Sequence, residues 1–243
     1  MNMPTLSVVI PARNEADNIV GLVDAIDRAL ASFTPFEIIV VDDGSNDDQV
    51  TRLTRRAQTM PHLRVIRHPK SAGQSAAVHT GVLAARAPVV LTLDGDGQNP
   101  PEELPRLAAP LLADTTGQIG LVAGQRLKRQ DTWSKKVASR LANGIRGWML
   151  QDSTRDSGCG LKAFRRDAFL ALPYFDHMHR YLPALFARDG WKVAHVDVSH
   201  RPRRAGQSNY SNLQRGLVGV VDLLGVAWLL RRRKKAKPLP ESV

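Results

Sequence analysis

Three features of this sequence predict an α/β fold with a mostly parallel central sheet flanked by helices. Strand-like and helix-like segments alternate through the first hundred residues. The strand-like segments are continuously apolar, as strands covered on both faces must be. Three of them end in polar turns, and open α/β sheets bind their ligands beyond the carboxyl ends of the strands.

The elements follow in order. Leu6 to Ile10 is an apolar strand that Pro11 is expected to stop. From Glu15 to Ala31 the residues Ile19, Leu22, Val23, Ile26 and Leu30 recur at helical spacing. Glu37 to Val41 is a second strand, and Ser45 or Asn46 is placed to cap a helix running to about Met60. Leu63 to Arg67, a helix over Gly73 to Arg86, and a strand over Pro88 to Leu93 continue the alternation. The second half is less regular. It holds a helix over Pro101 to Leu112, a strand at Ile119 to Ala123 and a helix over Trp133 to Leu150. A strand and a short helix follow between Leu161 and Leu170, then a helix over His177 to Asp189 and a strand over Trp191 to Val198. There is no repeat and no low-complexity linker. The chain reads as one domain over residues 1–214 and a C-terminal extension over 215–243.

Composition narrows the class. Of 243 residues, 43% are hydrophobic, enough for a well-buried core and too many for general disorder. The single cysteine, Cys159, excludes an internal disulfide framework and a cysteine-based zinc cage. The N-terminus has no basic segment followed by a long apolar stretch, so a cytoplasmic location is expected. The net charge is +11, but residues 201–243 carry ten Lys or Arg against Asp222 and Glu241, which leaves +3 for the first 200 residues. A nucleic-acid binder would spread its basic residues over a folded face, and aromatic content is only 5%. No specific nucleic-acid partner is expected.

The polar strand ends carry the chemistry. They are Pro11-Ala12-Arg13-Asn14-Glu15, Asp42-Asp43-Gly44-Ser45 and Asp94-Gly95-Asp96-Gly97-Gln98. None is a glycine-rich dinucleotide fingerprint or a phosphate-cradling loop. Asp94, Asp96 and Gln98 instead offer alternating oxygen ligands of the kind that Mg²⁺ or Mn²⁺ prefers. A bare Asp-Gly turn is the plainer alternative, but this one follows an apolar strand and has two polar neighbours. Asp43 is either part of a helix-capping turn or an acceptor for the base or ribose of a nucleotide.

Taken together, six stretches occur in the order of a known family. They are VVIPARNEADNI at 8–19, EIIVVDDGSND at 37–47, LTLDGDGQNPPEEL at 91–104, AGQRLKRQD at 123–131, DSGCGLKAFRR at 156–166 and SHRPRRAGQSNYSN at 199–212. The chain resembles the family 2 glycosyltransferases with a GT-A fold, and within them the polyprenyl-phosphate, dolichol-phosphate-mannose-synthase-like branch. The resemblance covers roughly residues 5–215. It implies that Pro11, Arg13, Glu15, Val41 and Asp43 hold the nucleoside of an NDP-sugar donor, with Arg13 where many relatives have Tyr. It implies that Asp94, Gly95 and Asp96 form the nucleotide–metal turn, with Gln98 as a further ligand. Arg126 matches a phosphate-contacting arginine. Arg203 matches a basic residue near the donor diphosphate or the acceptor phosphate, and Asn209 stands where many relatives carry a second cation.

The implied reaction is an inverting transfer from a GDP-mannose-type or UDP-hexose-type donor to polyprenyl phosphate. Such an acceptor is already anionic, so a strong base is optional, and cations such as Arg203 serve to hold it near the donor. Asp156 is a catalytic candidate if the acceptor is a saccharide hydroxyl, and otherwise orients ligands or caps its turn. Cys159 is read as a packed residue, His177 and His179 as surface or supporting groups, and His200 as a phosphate-loop residue. Arg129 and Asp131 are candidates for a local ion pair or for shaping the acceptor mouth.

Leu217 to Leu230 is apolar apart from Asp222, and Arg231 to Lys235 are all basic. The run is shorter than the about 20 residues of a membrane-spanning helix. It reads as an interfacial helix on an anionic leaflet with Trp228 at headgroup level, which makes the protein peripheral on the cytoplasmic face of the membrane. A core-packed helix with a solvated basic tail is the alternative.

Overall fold

The computed structural model describes residues 3–126, 154–201 and 212–232, together with 147, 149 and 150. Seven strands form one sheet. They are β1 (Leu6–Ala12), β2 (Phe36–Asp42), β3 (Leu63–Arg67), β4 (Val89–Thr92), β5 (Ile119–Arg126), β6 (Lys162–Arg165) and β7 (Lys192–Val198). Their order is β3-β2-β1-β4-β6-β5-β7. The first four in that order are parallel, β6 runs against both neighbours, and β7 lies parallel to β5. The expected mostly parallel α/β sheet is therefore present.

Seven α-helices are described: α1 (Ile19–Ala29), α2 (Gln49–Ala57), α3 (Gln74–Ala84), α4 (Leu104–Leu112), α5 (Arg166–Leu170), α6 (Leu182–Arg188) and α7 (Asn212–Arg231). Alternate residues of the strands feed two apolar layers. Val8, Ile10, Ile38, Val40 and Leu91 face the layer under α1, α2 and α4. Val9, Ile39, Val41 and Val90 face the layer under α3, α5 and α6.

Several boundaries differ from those the sequence suggests. β1 runs through Pro11 to Ala12, because β4 pairs with β1 only as far as Val9. The Ala12 C=O accepts from the Asp43 N–H at 2.9 Å, so the backbone of Ala12 faces β2. That of Pro11 faces the other side, where no ladder bond is lost. Neither Ser45 nor Asn46 caps α2. Ser45 Oγ accepts from the Asn14 N–H at 2.9 Å, and the Asn46 N–H donates to Asn14 Oδ1 at 2.9 Å. Both residues tie the loop after β2 to the loop after β1, and α2 starts only at Gln49. The helix expected from His177 begins as a 3₁₀ turn, Met178–Arg180, and becomes α6 at Leu182. All but the end of the helix expected over Trp133 to Leu150 lies outside the described residues.

The C-terminal helix packs one face on the domain and leaves the other exposed. Val226 is buried, with Leu223, Ala227 and Leu230 packed against the α3 layer, while Val220, Val221, Leu224 and Trp228 are exposed. No helix among the described residues is long and apolar enough to cross a membrane.

Candidate active site

A cavity of about 450 Å³ opens at the carboxyl ends of β1 and β4. Pro11, Asp94, Arg126, Asp156, Gly160 and Lys162 line it. Four separate stretches of sequence therefore converge there, as the strand order requires.

Asp94 follows β4 and is half-buried. Its Oδ1 accepts from Gln74 Nε2 at 2.8 Å and its Oδ2 from Asn99 Nδ2 at 3.2 Å. Any side chain at Gly160 would overlap this carboxylate, so glycine is required to make room for it. Enclosure and the neighbouring Asp96 push the Asp94 carboxyl above the usual carboxylate range, against the pull of Lys162, Asn99 and Arg126. Gly95 lets the turn pack on β1, where an added Cβ would lie 3.0 Å from Ala12 Cβ. Asp96 and Gln98 continue the turn beside the cavity. The Gln98 N–H donates to Asp96 Oδ1 at 3.1 Å, and the Gln98 C=O accepts from the Arg201 N–H at 2.9 Å.

Arg126 and Asp156 form a fork. Arg126 Nε donates to Asp156 Oδ2 at 2.5 Å and a terminal nitrogen to Oδ1 at 2.8 Å. Both oxygens of Asp156 are engaged by the guanidinium, which fixes Arg126 at the cavity wall. The hydrogen bond to Asp156 in turn raises the Arg126 pKa.

The cavity also gathers residues that sequence reasoning passed over. Lys162 is a buried cation in β6 whose Nζ donates to the Cys159 C=O. Burial pushes its ammonium down, while Cys159, Asp94 and Asp156 push it up. A lysine between Leu161 and Ala163 in a strand otherwise buried was a legible signal. Gln74, Arg155 and Arg180 also line the cavity. Arg155 is held by Gln125 Oε1 at 2.6 Å and Asp197 Oδ1 at 2.8 Å. Nothing local in the sequence marks Gln74, Arg155 or Arg180.

Two expectations for the histidines and the cysteine resolve differently. Cys159 is packed as expected, and burial pushes its thiol up. His179 takes the supporting place rather than the surface one. Its Nδ1 lies 2.7 Å from Ser75 Oγ, it lines the cavity, and burial with Lys162 and Arg180 lowers it to about 3. The ring is neutral at physiological pH. His200 is pushed down by burial and Arg126, which sets it near the same charges.

The residues expected to hold a nucleoside lie at the adjoining ends of β1 and β2, with Pro11 opposite Val41, and differ in exposure. Arg13 is exposed at the tip of the loop after β1. The Glu15 Oε2 accepts from Asn18 Nδ2 at 2.8 Å, so Glu15 secures the approach to α1. Val41 is fully buried in the layer beneath α3, and its side chain cannot touch a ligand. The Asp43 carboxylate is filled from within. It accepts from the Ala72 N–H at 2.8 Å, His68 Nδ1 at 2.8 Å, Ser71 Oγ at 2.7 Å and the Gly73 N–H at 3.0 Å. Four donors saturate a carboxylate, so Asp43 shapes residues 68–73 rather than presenting acceptors to a ligand. Arg203, Arg204, Asn209, Arg129 and Asp131 lie outside the described residues.

An α/β sheet with an acidic turn and a cavity carrying several basic side chains at its carboxyl ends is the place where open α/β folds bind their ligands. Residues 7–172 match the model of glycosyl transferase family 2, and the chain belongs to that family. It is 36% identical over 220 residues to an undecaprenyl-phosphate 4-deoxy-4-formamido-L-arabinose transferase of Pectobacterium atrosepticum, covering 88% of this chain and 64% of that protein. It is 31% identical over 238 residues to a dodecaprenyl-phosphate galacturonate synthase of Rhizobium johnstonii, covering 96% and 69%. The chain thus spans less than two thirds of the length of the arabinose transferases it matches.

The fold recurs in a mannosyl-3-phosphoglycerate synthase from Rubrobacter xylanophilus, with a TM-score of 0.72 at 19% identity over 96% of this chain and 77% of that one. It recurs also in the Mycobacterium tuberculosis glucosyl-3-phosphoglycerate synthase crystallised with Mn²⁺, UDP-glucose and glycerol 3-phosphate. There the TM-score is 0.67 at 23% identity, over 93% and 80%. The expected GT-A architecture is confirmed.

Proposed function

We propose that this protein is a metal-dependent, inverting glycosyltransferase that moves a sugar from an NDP-sugar to polyprenyl phosphate at the cytoplasmic face of a membrane. The observation that carries the donor half is the cavity itself. Arg126, Arg155, Lys162 and Arg180 stand around a space of about 450 Å³ that opens beside the acidic turn. Four cations suit a diphosphate leaving group, whose charge grows as the glycosidic bond breaks. The acceptor half is supported by the polyprenyl-phosphate relatives.

The donor set fits a hard divalent cation. Asp94 and Asp96 offer carboxylate oxygens in one turn, and the Asp94 pKa is raised by burial and then by the Asp96 charge, a repulsion that a cation would relieve. Among the described residues no group of three His, Cys, Asp or Glu side chains could cage an ion alone. The remaining ligands would then be donor phosphate or water. Asp94 and Asp96 would hold Mg²⁺ or Mn²⁺, with Gln98 as the further candidate, and the ion when bound supplies neutralisation of the diphosphate.

The chain's own residues do the rest. Asp156 holds Arg126 against the leaving phosphates. Lys162 adds a buried positive charge beneath Asp94. Pro11 and Gly95 form the close-packed floor. The segment that Asp43 holds at 68–73 would wall the nucleoside, and Arg203 and Asn209 would meet the acceptor or donor phosphates. The acceptor phosphate oxygen attacks the anomeric carbon as the bond to the diphosphate breaks, which inverts that carbon and needs no base. A saccharide hydroxyl acceptor would require Asp156 as the base, and its fork with Arg126 argues against that version.

The test supplies purified protein with a panel of NDP-sugars, Mg²⁺ or Mn²⁺, and polyprenyl phosphate, and extracts the lipid product. Transfer that needs both the lipid phosphate and the metal is expected. Asp96→Asn should lower turnover by about 10²-fold or more with little change in melting. No product from any common donor would overturn the acceptor, and full activity of Asp96→Asn would overturn the metal turn.

A further inference from the structure

Helix α7 divides its apolar residues between two faces. One is packed on the domain, as described above. The other is open: Val220, Val221, Leu224 and Trp228 are 57%, 70%, 59% and 61% exposed. Their spacing of i, i+1, i+4 and i+8 makes one stripe of a helix. Single exposed apolar residues are ordinary, but four large ones on one helical face mark an interaction surface.

The surface is charged at one end only. Arg231 and Arg232 are exposed there, and the Arg232 guanidinium lies 5.8 Å from the centre of the Trp228 ring. The sequence continues Arg233-Lys234-Lys235. Asp222, the only acid in the helix, turns to the packed side, with its Oδ2 3.0 Å from His177 Nδ1. An uninterrupted apolar stripe ending in an aromatic ring and cations matches the boundary between acyl chains and anionic headgroups.

The helix is also fixed close to the cavity. Tyr181 Oη donates to the Gly219 C=O at 3.4 Å, and Arg188 Nε donates to the Leu229 C=O at 3.2 Å. His177 and Tyr181 flank His179 and Arg180, which line the cavity. The open stripe and the cavity wall are thus carried by one fastened unit.

We propose that Val220, Val221, Leu224 and Trp228 seat the protein on an anionic bilayer, with Arg231 and Arg232 at the headgroups. This deepens the reading of a lipid-phosphate acceptor, because it names the surface that brings the cavity to the lipid. It is testable without any substrate.

The experiment floats the full chain with vesicles of phosphatidylglycerol and phosphatidylcholine that contain no polyprenyl phosphate. The native protein is expected to rise with the anionic vesicles and to stay behind with pure phosphatidylcholine. The double variant Leu224→Ser, Trp228→Ser should bind at least tenfold less, and these residues face solvent, so folding is not at stake. Replacing Arg231 and Arg232 with Gln should cost about fivefold per residue. Native protein that does not float, or a double variant that floats equally, overturns the proposal. So does sedimentation as a dimer that the double variant splits, since the stripe would then belong to a second copy. A transfer assay separates this from the function itself. The double variant should lose turnover on a vesicle-embedded acceptor and keep it on a water-soluble short-chain prenyl phosphate. If the native chain uses neither acceptor, the proposed function fails while flotation still decides the seat.

Discussion

Two acidic turns flank β1, and they have opposite fates. Asp43, after β2, is buried with four donors on its carboxylate, and these outweigh burial so that its pKa is lowered. Asp94, after β4, has two amide donors and a second carboxylate beside it, and burial wins so that its pKa is raised. The sequence motifs are alike, Asp-Asp-Gly and Asp-Gly-Asp. The difference lies in what the rest of the chain brings to each. Residues 68–73 close the first turn. The second keeps a like charge beside it at the edge of a cavity, and under the proposed function a bound cation would offset that repulsion.

The largest effect tests that contrast directly. Asp94→Asn should reduce turnover by about 10² to 10³-fold, since it removes a ligand of the cation proposed to neutralise the leaving group. Its melting temperature should stay level or rise, because a repelled, enclosed carboxylate is removed with it. A large fall in stability would mean that Asp94 is a structural carboxylate like Asp43, and the comparison would collapse.

Asp43→Asn should behave in the reverse sense. It keeps the shape but offers only one acceptor atom, so the N–H of either residue 72 or residue 73 is left short of a partner. The expected cost is about 2 kcal/mol of stability, measured by urea unfolding. The pH dependence has a defined sign. A carboxyl whose folded pKa is depressed adds stability above its ordinary value of 3.8, and that stability is lost as pH falls through the folded value. Native protein should therefore lose more stability on acidification than Asp43→Asn. Parallel pH curves would show that the four donors are not acting on a charge.

Much of this was legible beforehand, for physical reasons. The parallel sheet is written in runs such as Glu37-Ile38-Ile39-Val40-Val41, since a strand covered on both faces needs no polar alternation. The acidic turn after β4 is legible because it sits at a strand end. The roles of Asp43 and Ser45 are not, because their partners come from Ala72 and Asn14, about thirty residues away in each case. Local spacing suggests a helix cap, and a long-range loop contact displaces it. Lys162 shows the converse. Its charge breaks an apolar strand, and only the neighbouring turn explains why that is tolerated.

Lys162 sharpens the comparison by a smaller amount. It is the buried cation that most offsets the Asp94–Asp96 repulsion. Lys162→Met should raise the Asp94 pKa further, so cation binding fails at a higher pH and the acid limb of the pH–rate profile moves up. About a tenfold loss in kcat/KM is expected at neutral pH, with Lys162→Arg restoring most of it. An unmoved acid limb would place Lys162 in packing alone.

The smallest effect concerns another wall of the same cavity, where His179 pairs with Ser75. Its folded pKa is about 3 against an ordinary 6.5. Below pH 6.5 the unfolded chain takes up a proton that the folded ring refuses. Stability therefore falls as pH drops from 6.5 toward 3, by at most about 1.4 kcal/mol per pH unit. Glutamine does not titrate and can still bond Ser75 Oγ. His179→Gln should then lose about 1–2 kcal/mol less than the native chain between pH 7 and pH 5, by comparison of urea midpoints. The other titrating groups are common to both proteins and cancel. Equal losses would mean that the ring is open to water, and that the wall of the cavity is wetter than its bond with Ser75 and the nearby Lys162 charge imply.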